Sequence, residues 1–179
     1  MTKKKTLCEK LEDSKGLPRV EKITGKMSKK WGTGTLIIPA PKEVDEFMRK
    51  VPEGKLTTIN DIRAALAKKH KATIGCPITT GIFAAIAARA AEEQKQNGQK
   101  TITPYWRTLK VGGVINEKYP GSSEEQRKLL ERKATRSSRR AKNTGSSTTR
   151  SHWQICRRIL RKQEPRLGSN DLNPNHQTS

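Results

Sequence analysis

Val51-Pro-Glu-Gly-Lys-Leu-Thr-Thr-Ile-Asn-Asp-Ile62 decides how this chain is read, because it closes one helix and opens the next. Pro52-Glu-Gly54 is incompatible with a continuing helix. Thr58-Ile-Asn-Asp61 is a capping-box pattern, in which the Thr58 hydroxyl accepts from the Asp61 amide and the Asp61 carboxylate reaches back to the Thr58 amide. Upstream, a helix opens near Pro41, with Glu43 and Asp45 toward the positive end of its dipole. Its Val44, Phe47, Met48 and Val51 recur at helical spacing and form one buried face. Downstream, Ile59, Ile62 and Leu66 point inward, while Arg63, Lys68 and Lys69 point outward.

A third helix is predicted from Pro77 to about Glu93. It holds Ile78, Ile82, Phe83 and Ile86 together with six alanines, which favour helix and let neighbouring backbones approach closely. Joined through residues 71–75, the second and third helices make a helix-turn-helix-like pair. The period then changes. Thr108-Leu-Lys-Val111 and Val114-Ile115 flank Gly112-Gly113, a pair that permits the positive φ values of a tight hairpin, so 108–115 is predicted to be a wing. Ser123-Glu-Glu-Gln126 is a second capping-box pattern before a last helix with Leu129 and Leu130. The expected fold is mainly α: a winged-helix-like helix-turn-helix domain with a short β-hairpin over 39–131, flanked by basic termini.

Composition supports that partition. The chain has 179 residues, enough for one domain, and only 31% of them are hydrophobic. Folded domains usually reach about 45–50% when glycine is counted, so the apolar residues must be concentrated in part of the chain. Residues 1–38 read as a basic arm, extended from Trp31 and packing only Leu36, Ile37 and Ile38 on the domain. Residues 132–179 carry 12 Lys and Arg against Glu164 and Asp171 and read as a low-complexity basic tail. Within it, Trp153, Ile155, Cys156 and Ile159 suit two turns of amphipathic helix. Either an appended nucleic-acid-binding tail or a shift of reading frame accounts for this change of character.

A formal net charge of +21 attracts polyanions. No apolar run is long enough for a membrane span or a signal peptide, so a cytoplasmic protein is expected, nucleoid-associated in a prokaryote. Cys8, Cys76 and Cys156 are odd in number and far apart, and His70, His152 and His176 do not converge on them. They read as free thiols in a reducing compartment, with no metal site and no cofactor expected.

The order helix, helix-turn-helix, wing, helix resembles the DNA-binding C-terminal domain of O6-alkylguanine-DNA alkyltransferases and alkyltransferase-like proteins. The stretches that carry the resemblance are 51–62, Gly81, Pro104-Tyr-Trp-Arg-Thr-Leu-Lys110, Gly113 and Gln126-Arg-Lys-Leu-Leu-Glu131, about half of the chain. In that family a Pro-Cys-His-Arg-Val motif carries the alkyl-accepting cysteine and its activating histidine. Here Tyr105 and Trp106 occupy those two positions. A phenol with a pKa of about 10 is a poor soft nucleophile and an indole is no general base, so alkyl transfer by the family route is not expected. The family's base-replacing arginine falls at Ile78 and its phosphate-contacting tyrosine at Ile59. An apolar Ile78 can still wedge between base steps.

The resemblance therefore implies a non-enzymatic binder of duplex DNA, intact or alkylated, and the basic composition of the tail adds RNA as a further expected partner. Ile78, Thr79, Thr80, Lys71, Lys110 and Arg107 are the candidate DNA contacts, Arg107 having the alternative of holding the wing by local hydrogen bonds. Tyr105, Trp106, Ile59, Lys118 and Tyr119 are the candidate base-pocket residues. Their alternatives are core packing for Trp106 and turn formation for Lys118 and Tyr119. Two other functions compete: a methyltransferase that uses Cys76, which precedes the third helix, and a protein-interaction module whose charge is incidental.

Overall fold

The computed structural model describes residues 5–121 and 123–132. Six helices and five short strands follow in the order α1 (Leu7–Glu12), β1 (Arg19–Lys22), α2 (Lys26–Trp31), β2 (Thr35–Ile38), α3 (Pro41–Arg49), β3 (Thr57–Thr58), α4 (Ile59–Lys69), β4 (Ile74–Gly75), α5 (Pro77–Gln96), β5 (Thr108–Leu109) and α6 over 123–132. The fold is mainly α with a small sheet, as the helical periodicity predicts. The tail segment 133–179, with the amphipathic stretch around Trp153, lies outside the described residues.

At the centre stands α5, whose Ala84, Ala87, Ala88, Ala90 and Ala91 are buried. Side chains this small let α1, α3 and α4 pack close to its backbone. Val44 and Met48 of α3 and Ile62 and Leu66 of α4 fill the space between, with Tyr105, Leu109 and Leu130 completing the core. At the start of α4 the Thr58 hydroxyl accepts from the Asp61 amide at 3.2 Å, and Asp61 Oδ2 accepts from the Thr58 amide at 2.8 Å. Both orphan donors of that helix end are thereby satisfied.

The N-terminal segment is not an arm. Thr6 and Glu9 form a capping box on α1. Leu11 is buried in the main core, and Glu93 Oε2 of α5 accepts from the Leu7 and Cys8 amides, each at 3.1 Å. Next, β1 pairs antiparallel with β2, and β2 pairs parallel with β4. Ile37 thus enters the main core, while Leu36 on the other face joins Ile23 and Cys76 in a second, smaller core flanked by Met27, Trp31, Ile38 and Ile74. Two cores give residues 5–38 enough apolar burial to fold onto the domain.

The wing is corrected as well. Thr108–Leu109 pairs in parallel with Thr57–Thr58, not with 114–115. Residues Val111–Gly113 form a 3-10 turn with Gly112 and Gly113 at positive φ, closed by the Lys110 amide donating to the Val114 carbonyl at 2.7 Å. The Gly-Gly pair makes a compact loop there, with no two-stranded ladder. Gln126 differs too: it caps no helix but is fully buried, where its amide donates to the carbonyls of Trp106 and Thr108 and its Oε1 accepts from the Asn116 amide.

Candidate nucleic-acid interface at the start of the central helix

Pro77 at the first helical position sets φ for α5 without removing a needed donor. Cys76 at the N-cap makes no side-chain cap bond, and the first turn holds no acidic residue. The backbone enters this helix through Gly75, where a Cβ would stand 2.6 Å from the Arg63 carbonyl oxygen. Only glycine lets β4 cross α4 this closely. Arg63 fixes the crossing: its Nε donates to the Gly75 carbonyl at 3.0 Å and its Nη1 to Asn60 Oδ1 at 2.8 Å.

Ile78 and Ile82, one helical turn apart, are 58% and 50% exposed. Thr79 is half-buried, with its hydroxyl enclosed and unpartnered among the described residues. Thr80 points inward, where its hydroxyl donates to the Cys76 carbonyl at 2.7 Å, so it is removed from the set of DNA contacts. Lys71 is exposed at a positive φ of 52° just beyond α4, with no carboxylate partner among the described residues. Lys110 pairs with Glu117 at 3.3 Å, which already offsets its charge. Arg107 makes neither a local wing bond nor a free surface cation: its Nη1 donates to the Val51 carbonyl at 2.7 Å. Burial pulls its pKa below the usual guanidinium range.

The expected base pocket is occupied by its own lining. Tyr105 is 2% exposed, packs edge-on against Trp106 and Tyr119, and donates its hydroxyl to Glu92 Oε2 at 3.2 Å. Burial, and then the adjacent Glu92 carboxylate, raises its pKa well above the ordinary phenol value. Trp106, Tyr119 and Ile59 are buried too, so the aromatic positions build core and offer no stacking face. Lys118 is exposed and its backbone amide donates to Asn116 Oδ1 within the turn before α6. Cys76 is buried in the smaller core. A thiol enclosed in this way has no line of attack on an alkyl group in solution. Among the described residues no cluster of His, Cys, Asp and Glu is fit to hold a metal, and no helix is long and apolar enough to cross a membrane.

Two features escape a reading of the sequence. One is Asp45, buried between Arg49 Nε at 2.7 Å and the Thr103 hydroxyl. The other is the Glu43 carboxylate, which receives Lys69 and His70 Nε2 from the end of α4. Asp45 ties α3 to the segment before Tyr105, and Glu43 ties α3 to the end of α4. Comparison with protein-family models, curated proteins and solved structures gives no match to this chain.

Proposed function

We propose that the protein is a non-enzymatic, mainly helical binder of duplex DNA that presents the first two turns of α5 to the nucleic acid. The carrying observation is the exposed pair Ile78 and Ile82 on an uncapped, acid-free helix start. Helix starts offer amide donors and positive potential to phosphate, and apolar side chains at such a position can enter a groove or wedge between base steps. The buried, neutral Tyr105 and the buried Cys76 argue against alkyl transfer. The closed aromatic cluster argues against a flipped base beside Tyr105. Groove binding needs no such pocket.

Binding of the full chain to a duplex over a salt series tests the reading. Affinity should fall with salt, and I78A/I82A should weaken binding at least tenfold while the fold survives, since the two substitutions remove several methylenes that contribute up to about 0.8 kcal/mol each when fully buried. Salt-independent or absent duplex binding rejects the proposal. So does gain of one methyl on the intact protein after incubation with O6-methylguanine DNA. One observation favours the protein-interaction reading, the apolar character of Ile78 and Ile82. It prevails if I78A/I82A abolishes self-association and leaves DNA affinity unchanged.

A further inference from the structure

Two stretches of the described chain, 22–42 and 62–91, contain no Asp or Glu. The fold brings them together. In the three-stranded sheet β2 of the first stretch pairs with β4 of the second, and at the start of β2 the Thr35 amide donates to Thr73 Oγ1 at 3.0 Å while the Thr73 amide donates to Thr35 Oγ1 at 3.1 Å. Around that seam Lys22, Lys26, Lys29 and Lys30 are exposed, and none has a carboxylate partner among the described residues. Lys26, Lys29 and Lys30 share one face of α2, while Met27 and Trp31 on the other pack into the smaller core with Ile23, Leu36 and Cys76. Cys76 is also the N-cap of α5. The lysine face is thus tied through a packed core to the residue that starts the exposed helix turn.

Resting on the reading of α5 as a DNA-contacting helix, we infer that Lys22, Lys26, Lys29 and Lys30 form a phosphate-binding platform that grips the duplex backbone flanking that helix. The α2 face supplies three point charges within two turns. Among the described residues no ion pair engages them, and a scaffold fixed to the helix start holds them in register. Such an array contributes affinity through release of counterions and carries no sequence preference of its own. Lys71 at the end of α4 lies on the same acid-free seam.

The experiment compares three full-length proteins on one duplex over a salt series: the parent, K26Q/K29Q/K30Q, and K10Q/K95Q/K100Q. The last removes equal charge from the far end of α5 and from α1, which packs there; a 20-residue helix is about 30 Å long. The tail is common to all three, so differences report only the substituted sites. At about 0.9 per phosphate, the α2 variant should flatten the slope of log affinity against log salt by about 2 to 3, and weaken binding at low salt about tenfold. The far-end variant should change that slope by less than about 1. Equal slopes in the two variants, or an unchanged slope in the α2 variant, overturn the platform while leaving the α5 reading standing. A parent that shows no salt-dependent duplex binding overturns both. Tighter binding of a single-stranded RNA than of the duplex, lost in the α2 variant, overturns the assignment to duplex DNA.

Discussion

The two halves of α5 use similar residues to opposite ends. Toward its C-terminus, alanines are sealed under α1 and α3, and Glu92 and Glu93 reach out to hold Tyr105 and the start of α1. Toward its N-terminus, Ile78 and Ile82 stand in solvent on a helix start without acidic residues. Large apolar groups outside and the smallest ones inside invert the usual arrangement. Core-building therefore constrains one end of the helix and leaves the other available for contact with a partner.

Substitutions at the sealed end should have the largest effect on stability. Tyr105→Ala removes a buried ring and its bond to Glu92 and should cost about 3–5 kcal/mol in urea unfolding. A cost below about 1 kcal/mol would mean that the ring is not packed as described. Gly75→Ala lies just ahead of the open half. Its methyl group would meet the Arg63 carbonyl, and the forced shift should cost about 1–3 kcal/mol while moving the start of α5 relative to α4.

Glu43→Gln is smaller and depends on pH. Burial pushes the Glu43 carboxyl up, but hydrogen bonds from Lys69 and His70 outweigh it and hold the pKa below the ordinary carboxylate value. The stability this provides is complete above the unfolded carboxylate pKa and is lost as pH falls through the lower folded value. The variant should therefore lose about 1 kcal/mol near neutral pH, Lys69 being half exposed, and the difference from the parent should close in acid. A difference that persists there would assign the effect to shape instead of charge. At the open end, Ile78→Ala and Ile82→Ala should each change stability by less than about 0.5 kcal/mol by thermal unfolding. A larger loss from either would erase the contrast between the halves.

Residues with local periodic signals were legible in the sequence. The faces of α3 and α4, the Thr58 to Asp61 cap and the start of α5 follow from spacing and composition alone, while α5 runs to Gln96, past the expected end near Glu93. Long-range pairing was not legible, since nothing near Thr108 announces that it lies beside Thr57 in parallel. Gly112-Gly113 signals a tight turn without saying what its flanks pair with. The α1 cap was visible as Thr6-x-x-Glu9, but a helix of six residues in basic surroundings has too weak a period to stand out. Gln126 has the type and spacing of a capping residue and is used instead inside the core. At the candidate interface the difficulty is reversed: apolar residues four apart read as buried, so only the family resemblance put Ile78 at the surface, and only the packing reveals that Ile82 is exposed beside it.

The closure of α1 onto Glu93 also bears on where this chain can be cut. A version starting at Pro39 would strip the lid from the far half of α5, baring the alanine surface and the site vacated by Leu11, and would lose the outer strand β1 and the central strand β2 of the three-stranded sheet. Trimming the beginning of this protein would therefore yield sticky, half-dressed material, and a soluble minimal unit must keep its first helix.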